Sequence, residues 1–213
     1  IRDDLVTGVQ TCALPILMNT DNTTISGETI DYGPCAMMGT YHPNTVFSSI
    51  DRHGRYAYGN QPRIIQWNIT RLAECLLPLI DADEKKAVAK VSPVIQDFPQ
   101  QFSLAWQQMM AAKLGLGALQ PTDSKLIEDL LHSLSNNQLD YTVTFQRLTQ
   151  SFSDNAIAEQ MQQQLGEWWQ KWQLRLDAAT GDKMANRRSM TTHNPLVIPR
   201  NHHVEALLQD YQQ

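Results

Sequence analysis

The chain has 213 residues, of which 42% are hydrophobic and 18% charged, with a formal net charge of −5 and a mean hydropathy of −0.38. That composition is globular in place of disordered or membrane-embedded, and the length bounds the chain to one or two folded domains. No run of about 18 apolar residues occurs, so no membrane span is expected, and a mildly acidic chain without a basic stripe gives no electrostatic case for binding nucleic acid.

Taken in chain order, the first feature is Val6 to Ile16, "VTGVQTCALPI". It has neither a helical nor a strand period, and it lacks the basic leader and long apolar run of a signal peptide. It resembles the in-frame translation of a widely used sequencing-library adapter. Residues 1–16 are therefore read as a non-native leader, with the coding sequence proper beginning near Leu17 and upstream protein missing. Of the three cysteines, Cys12 falls in this leader, and Cys35 and Cys75 lack C-x-x-C spacing. Neither a zinc site nor a disulfide framework is indicated, and two thiols fit a reducing, cytoplasmic setting.

Residues 17–34, "LMNTDNTTISGETIDYGP", read as a loop, a small β-hairpin and a turn. Thr23-Thr24-Ile25 and Glu28-Thr29-Ile30 are rich in β-branched residues, and Ser26-Gly27 separates them. Residues 35–61 are punctuated by Gly, Pro, Asn and Asp and read as an extended loop.

From Pro62 the chain turns helical. "PRIIQWNITRLAECLLPLI" begins with Pro at a first-turn position, and Ile65, Ile69, Leu72, Leu76 and Leu79 predict one apolar face. "FPQQFSLAWQQMMAAKLGL" predicts a second helix, with Phe102, Trp106, Met109 and Met110 inward and an end at Gly115 to Gly117. "TDSKLIEDLLHSL" opens on Thr122 or Asp123 as cap, and "DYTVTFQRLTQSF" follows. "NAIAEQMQQQLGEWWQKWQLRLDAA" reads as one helix with a solvated Gln face and with Trp168 and Trp172 packed in the core. After Gly181 the chain reads as irregular until a terminal helix in "NHHVEALLQDY". The fold class is thus mainly α with a small β-hairpin.

A bundle of helices has no need of the polar element before it. Phosphoryl and nucleotidyl transfer need one carboxylate to orient or deprotonate the attacking hydroxyl, and others to hold the cation that bridges the phosphates. Asn serves there as a hard, uncharged oxygen ligand. Protein kinases combine a catalytic-loop Asp, a metal-binding Asn and the Asp of a D-F-G turn across a short hairpin. Here Asp21 and Asn22 precede the predicted hairpin, and Asp31-Tyr32-Gly33 follows it as a D-F-G-like turn. Unlike the kinase D-x-x-x-x-N spacing, Asp21 and Asn22 are adjacent, and no His-Arg-Asp precedes them. An Asp-Asn pair alone is also common in turns.

The longer string is more specific. "MNTDN" and "TIDYGP", followed by "GRY", "NQP", "WN" and "RLA", and then "DYTVTFQRL" and "NPLVIPRNHHVEALL", resemble the selenoprotein O (YdiU-like) family across residues 17–213. The resemblance implies the C-lobe of an atypical protein-kinase-like fold. It further implies a Mg2+-dependent transferase, with Mn2+ able to take the cation's place, that moves AMP from ATP to Ser, Thr or Tyr hydroxyls of proteins. Carried onto this chain, the family's motif puts the proton acceptor at Asp21 and metal ligands at Asn22 and Asp31, with Asp31 also near the ATP phosphates.

Departures from the family pattern matter. The His-Gly that usually precedes the motif would fall at Pro15-Ile16. Phe47 stands where some members carry a redox-active Cys. The family's Gly-rich loop, phosphate-binding Lys, its acidic partner and nucleotide-binding Arg residues all lie N-terminal to the motif. The chain is therefore expected to lack the N-lobe and also the family's C-terminal end.

Other residues invite weaker readings. His202 and His203 are adjacent, so on a helix they point about 100° apart and do not share an ion. His42 and His53 have no partner pattern. Asp51, His53, Arg55 and Tyr56 read as a structural turn in preference to a substrate-facing loop, Ser48 and Ser49 as loop hydroxyls, and Arg187-Arg188 as a solvated loop. Three functions stay open from the residues: AMP transfer, ordinary phosphoryl transfer at the same metal site, and an inactive fragment or binding module.

Overall fold

The computed structural model describes residues 13–15, 20–25, 35–179 and 182–211. The chain divides into two compact units, residues 1–36 with 43–105 and residues 37–42 with 106–213. A short strand β1 (Ala13–Pro15) pairs with β2 (Cys35–Met37). Eight α-helices follow among the described residues, so the mainly α expectation holds.

The β pair differs from the expected hairpin. Thr23 and Thr24 are coil and Ile25 lies in a bend, so the first predicted strand is not formed. Glu28-Thr29-Ile30, the second, lies outside the described residues. β-branched composition alone does not make a strand without a partner edge to pair with. β1, moreover, falls inside the stretch read as a leader.

In the first unit the 43–60 loop is held by its own backbone. Gly59 N–H donates to the Pro43 carbonyl at 2.8 Å and Tyr58 N–H to Thr45 at 3.1 Å. A single helical turn, Tyr58–Asn60, leads into α1 (Gln61–Ile80), with Pro62 in its first turn where a missing N–H costs nothing. α1 buries Gln61, Ile64 and Asn68, spaced i, i+3, i+7. This corrects the expected face. Ile65 and Ile69 are half-buried, and Leu72, Leu76 and Leu79 are 41%, 39% and 83% exposed. Apolar periodicity located a helix but misjudged its inner side, because two of the three buried residues are polar. Gln66 Nε2 donates to the Ile95 carbonyl at 3.2 Å and ties α1 to α2 (Glu84–Lys113). α2 begins well before the predicted start and runs through Pro93 and Pro99. Each proline removes one N–H, normally costing about 3 kcal/mol inside a helix, so the sequence reading stopped at the second of them.

The second unit receives α2 from Trp106 onward, where Met109, Met110 and Leu114 are buried. α2 ends in a Schellman motif: Leu116 N–H donates to Ala111 at 2.9 Å and Gly115 N–H to Ala112 at 3.2 Å, with Gly115 at φ +70°. α3 (Asp123–Asn136) turns Leu126, Ile127, Leu130, Leu131 and Leu134 inward. α4 (Tyr141–Gln150) is capped by Asp140, which accepts from Val143 N–H at 2.9 Å, and buries Tyr141, Phe145 and Leu148. The predicted long helix from Asn155 is two helices, α5 (Asn155–Leu165) and α6 (Glu167–Ala179). Gly166 separates them at φ +55°, a conformation that ends an α-helix.

Trp168 and Trp172 lie in the core as expected. Their rings stack 5.7 Å apart, and their indole N–H groups donate to the Leu126 and Leu114 carbonyls at 2.8 and 2.9 Å. α7 (Lys183–His193) occupies a stretch read as irregular. Its sequence is mostly polar, but Asp182 caps it at Met184 and Ala185, and Asn186 and Met190 form a narrow buried edge. Lys113, 1% exposed, donates from Nζ to the His193 carbonyl at 3.0 Å and lies over the rings of Phe145 and Tyr141. α8 (Asn201–Asp210) closes the described chain as predicted, and Arg200 before it grips Asp140 at 2.7 and 3.1 Å.

Candidate functional site

Asp21 and Asn22 lie in one tight turn of 3-10 helix, Thr20–Asn22, and Asn22 is exposed. The turn closes with Thr23 N–H donating to the Thr20 carbonyl at 3.4 Å. A 3-10 turn winds three residues per turn, so adjacent side chains leave it about 120° apart. Asp31 lies outside the described residues, as does the D-F-G-like turn that it begins. The structure thus places two of the three sequence-predicted site residues.

The turn is anchored from below. Asn68, 4% exposed on α1, donates from Nδ2 to Thr23 Oγ1 at 2.8 Å. Its neighbour Trp67 carries the guanidinium groups of Arg55 and Arg71 at 5.0 and 5.4 Å from its ring centroid. Arg55 in turn leaves a turn organised by Asp51, whose two carboxylate oxygens accept from Arg55 and Tyr56 N–H, both at 2.8 Å. Asp51 is therefore spent on the turn, in keeping with its structural reading. Sequence reasoning missed Asn68. Its signal was the "WN" pair inside an otherwise apolar helical period, a polar residue at a position that the helix buries.

Chemically, an amide oxygen such as that of Asn22 is a hard, uncharged donor of the kind that divalent cations such as Mg2+ accept. Among the described residues no group of three His, Cys, Asp or Glu side chains converges as a metal site. His202 and His203 are exposed on α8 with ring centroids 4.1 Å apart. His42 and His53 are also exposed. Ser48 Oγ accepts from Ile50 N–H at 3.2 Å. Arg187 and Arg188 sit on α7 and not in a loop, with Arg188 3.8 Å from Asp182. No helix among the described residues is long and apolar enough to cross a membrane.

The family model of protein adenylyltransferase SelO matches residues 14–213, a span that contains Asp21, Asn22, Asp31 and Asn68. The chain is 48% identical over 194 residues to the protein nucleotidyltransferase YdiU of Teredinibacter turnerae, covering 91% of this chain and 40% of that protein. It is 50% identical over 192 residues to the protein of the same name from Anoxybacillus flavithermus, covering 90% of this chain and 39% of the relative. A Clostridium botulinum relative of the same name is 47% identical over 194 residues. The chain spans about 40% of the length of these relatives.

Proposed function

The chain belongs to the protein adenylyltransferase SelO family, and from that premise we propose that it is the kinase-like C-lobe of a longer enzyme that transfers AMP from ATP to Ser, Thr or Tyr hydroxyls of proteins. In this reading Asp21 accepts the proton of the attacking hydroxyl. The hydroxyl oxygen forms a bond to the α-phosphorus, the bond from that phosphorus to the α–β bridging oxygen breaks, and pyrophosphate leaves. General-base assistance of this kind contributes about 10²–10⁴-fold. Asn22 and Asp31 would hold Mg2+, which neutralises charge on the phosphates. Positioning and electrostatics carry most of such a reaction, so the polypeptide's task is to hold this turn still.

The observation that carries the reading is the family match running unbroken through the Asp-Asn motif and the helices behind it. The relatives' extra length and the exposed Leu72, Leu76 and Leu79 on α1 support a further point. These 213 residues alone are proposed to turn over ATP weakly or not at all, because the ATP-binding N-lobe residues belong to the remainder of the enzyme. A cytoplasmic location is proposed on the cysteine usage, and residues 1–16 are given no role.

Intact-mass analysis of a protein substrate incubated with the longer enzyme and Mg-ATP tests the chemistry. A gain of about 329 Da marks AMP, whereas about 80 Da marks a phosphate. Asp21→Ala in that enzyme is expected to abolish the gain. Phosphate addition, or full transfer by Asp21→Ala, refutes the assignment.

A further inference from the structure

We propose that Asn68 and Thr23 form a positioning pair that fixes the Asp21-Asn22 turn, an inference that rests on the function proposed above. The turn is short and exposed, and its internal hydrogen bond is long at 3.4 Å. The Asn68 to Thr23 bond is shorter, at 2.8 Å, and arrives from a residue 45 positions away.

Asn68 is itself immobilised. It is buried in the second turn of a helix whose entry is set by Pro62 and whose adjoining loop is tied by Asn60 Nδ2 to the Gly54 carbonyl at 2.8 Å. Buried amides keep one orientation because losing a partner in low dielectric is costly. Thr23 directly follows Asn22, so fixing its hydroxyl limits the rotation of the peptide that carries the proposed metal-binding amide. Sites held within about 0.5 Å by rigid elements work, and looser ones lose rate. Neither Asn68 nor Thr23 needs to touch substrate for this. Their effect runs through Asp21 and Asn22.

The test is steady-state AMP transfer by the longer enzyme that contains this segment, with Thr23→Val, Asn68→Leu, the double variant and Asn68→Asp. Thr23→Val keeps shape on an exposed residue and removes only the hydroxyl, so it remains informative if Asn68→Leu fails to fold. Thr23→Val is expected to lower kcat roughly 10- to 100-fold, the scale of a small misplacement of reacting groups, with KM for ATP and the melting temperature unchanged. The double variant is expected to be no slower than the slower single variant. Asn68→Asp, which accepts from the Thr23 hydroxyl instead of donating to it, is expected to recover most of the rate. Wild-type kcat in Thr23→Val, or multiplicative losses in the double variant, overturns the pair while Asp21→Ala still abolishes transfer. If Asp21→Ala transfers AMP normally, the underlying function falls instead.

Discussion

Removing Arg175 should destabilise the second unit more than any exposed substitution. Its guanidinium donates from Nε to Asp123 Oδ1 at 2.7 Å and from Nη2 to Asp123 Oδ2 at 2.9 Å, and Nη2 also reaches the Ala118 carbonyl at 2.9 Å. The Asp123 side chain is 1% exposed and that of Arg175 is 9%. In Arg175→Met the carboxylate keeps the Gln120 N–H, at 2.8 Å, but loses both charge-assisted bonds. Each such bond is worth about 1.5–3 kcal/mol net, and breaking a buried pair costs about 3–5 kcal/mol because one charge stays behind. For a domain of this size that is a fall in Tm of roughly 6–20 °C. Denaturant unfolding followed by tryptophan fluorescence reads it directly, since Trp168 and Trp172 share α6 with Arg175. The double variant Asp123→Leu/Arg175→Met should lose less, because no charge is stranded. A loss under about 1 kcal/mol in Arg175→Met, or a double variant as unstable as the single, would show that the pair does not carry the stability assigned to it.

The Asp140–Arg200 pair gives stability a pH dependence. Burial raises the Asp140 pKa, but the Arg200 hydrogen bond, the Val143 N–H and the Arg200 charge outweigh it and hold the carboxyl below its usual range. The contribution is therefore full above the unfolded value of about 3.9 and is lost as pH falls through the lower folded value. Wild type should exceed Arg200→Met by about 1 kcal/mol at pH 7, with the gap closing in acid unfolding titrations; a gap that widens in acid refutes the sign. Gly115→Ala should cost about 1–3 kcal/mol, since φ is +70° and the new Cβ would sit 3.1 Å from the Asn186 carbonyl oxygen and from Met190. Gly166→Ala, with φ +55° and nothing within 4 Å, should cost less. Equal melting curves for the two would show that the close contact is relieved without cost.

The helical class, the starts of α3 and α4 and the core tryptophans of α6 were legible because each is a local pattern. Caps act within three residues, and apolar periodicity acts within a few turns. The Asp-Asn motif was legible for a similar reason, as chemistry written in neighbouring residues. The break at Gly166 was present as a glycine but outweighed by the apolar period around it. α7 was hidden because a helix with a narrow buried edge looks polar throughout.

What the amino-acid order determined by itself was therefore the helical class, most of the helices and the family. Only the tertiary structure decided which side of α1 faces inward, and two of the three residues buried there are polar. Burial of Gln61 and Asn68 depends on the surroundings they meet once the chain has folded, and for Asn68 one partner, Thr23, lies 45 residues away. Hydrophobic patterns carry no information about such partners, because a polar residue is stable inside only when distant atoms satisfy it. The bond from Asn68 to Thr23 is of this kind, and it ties the motif to the helix behind it.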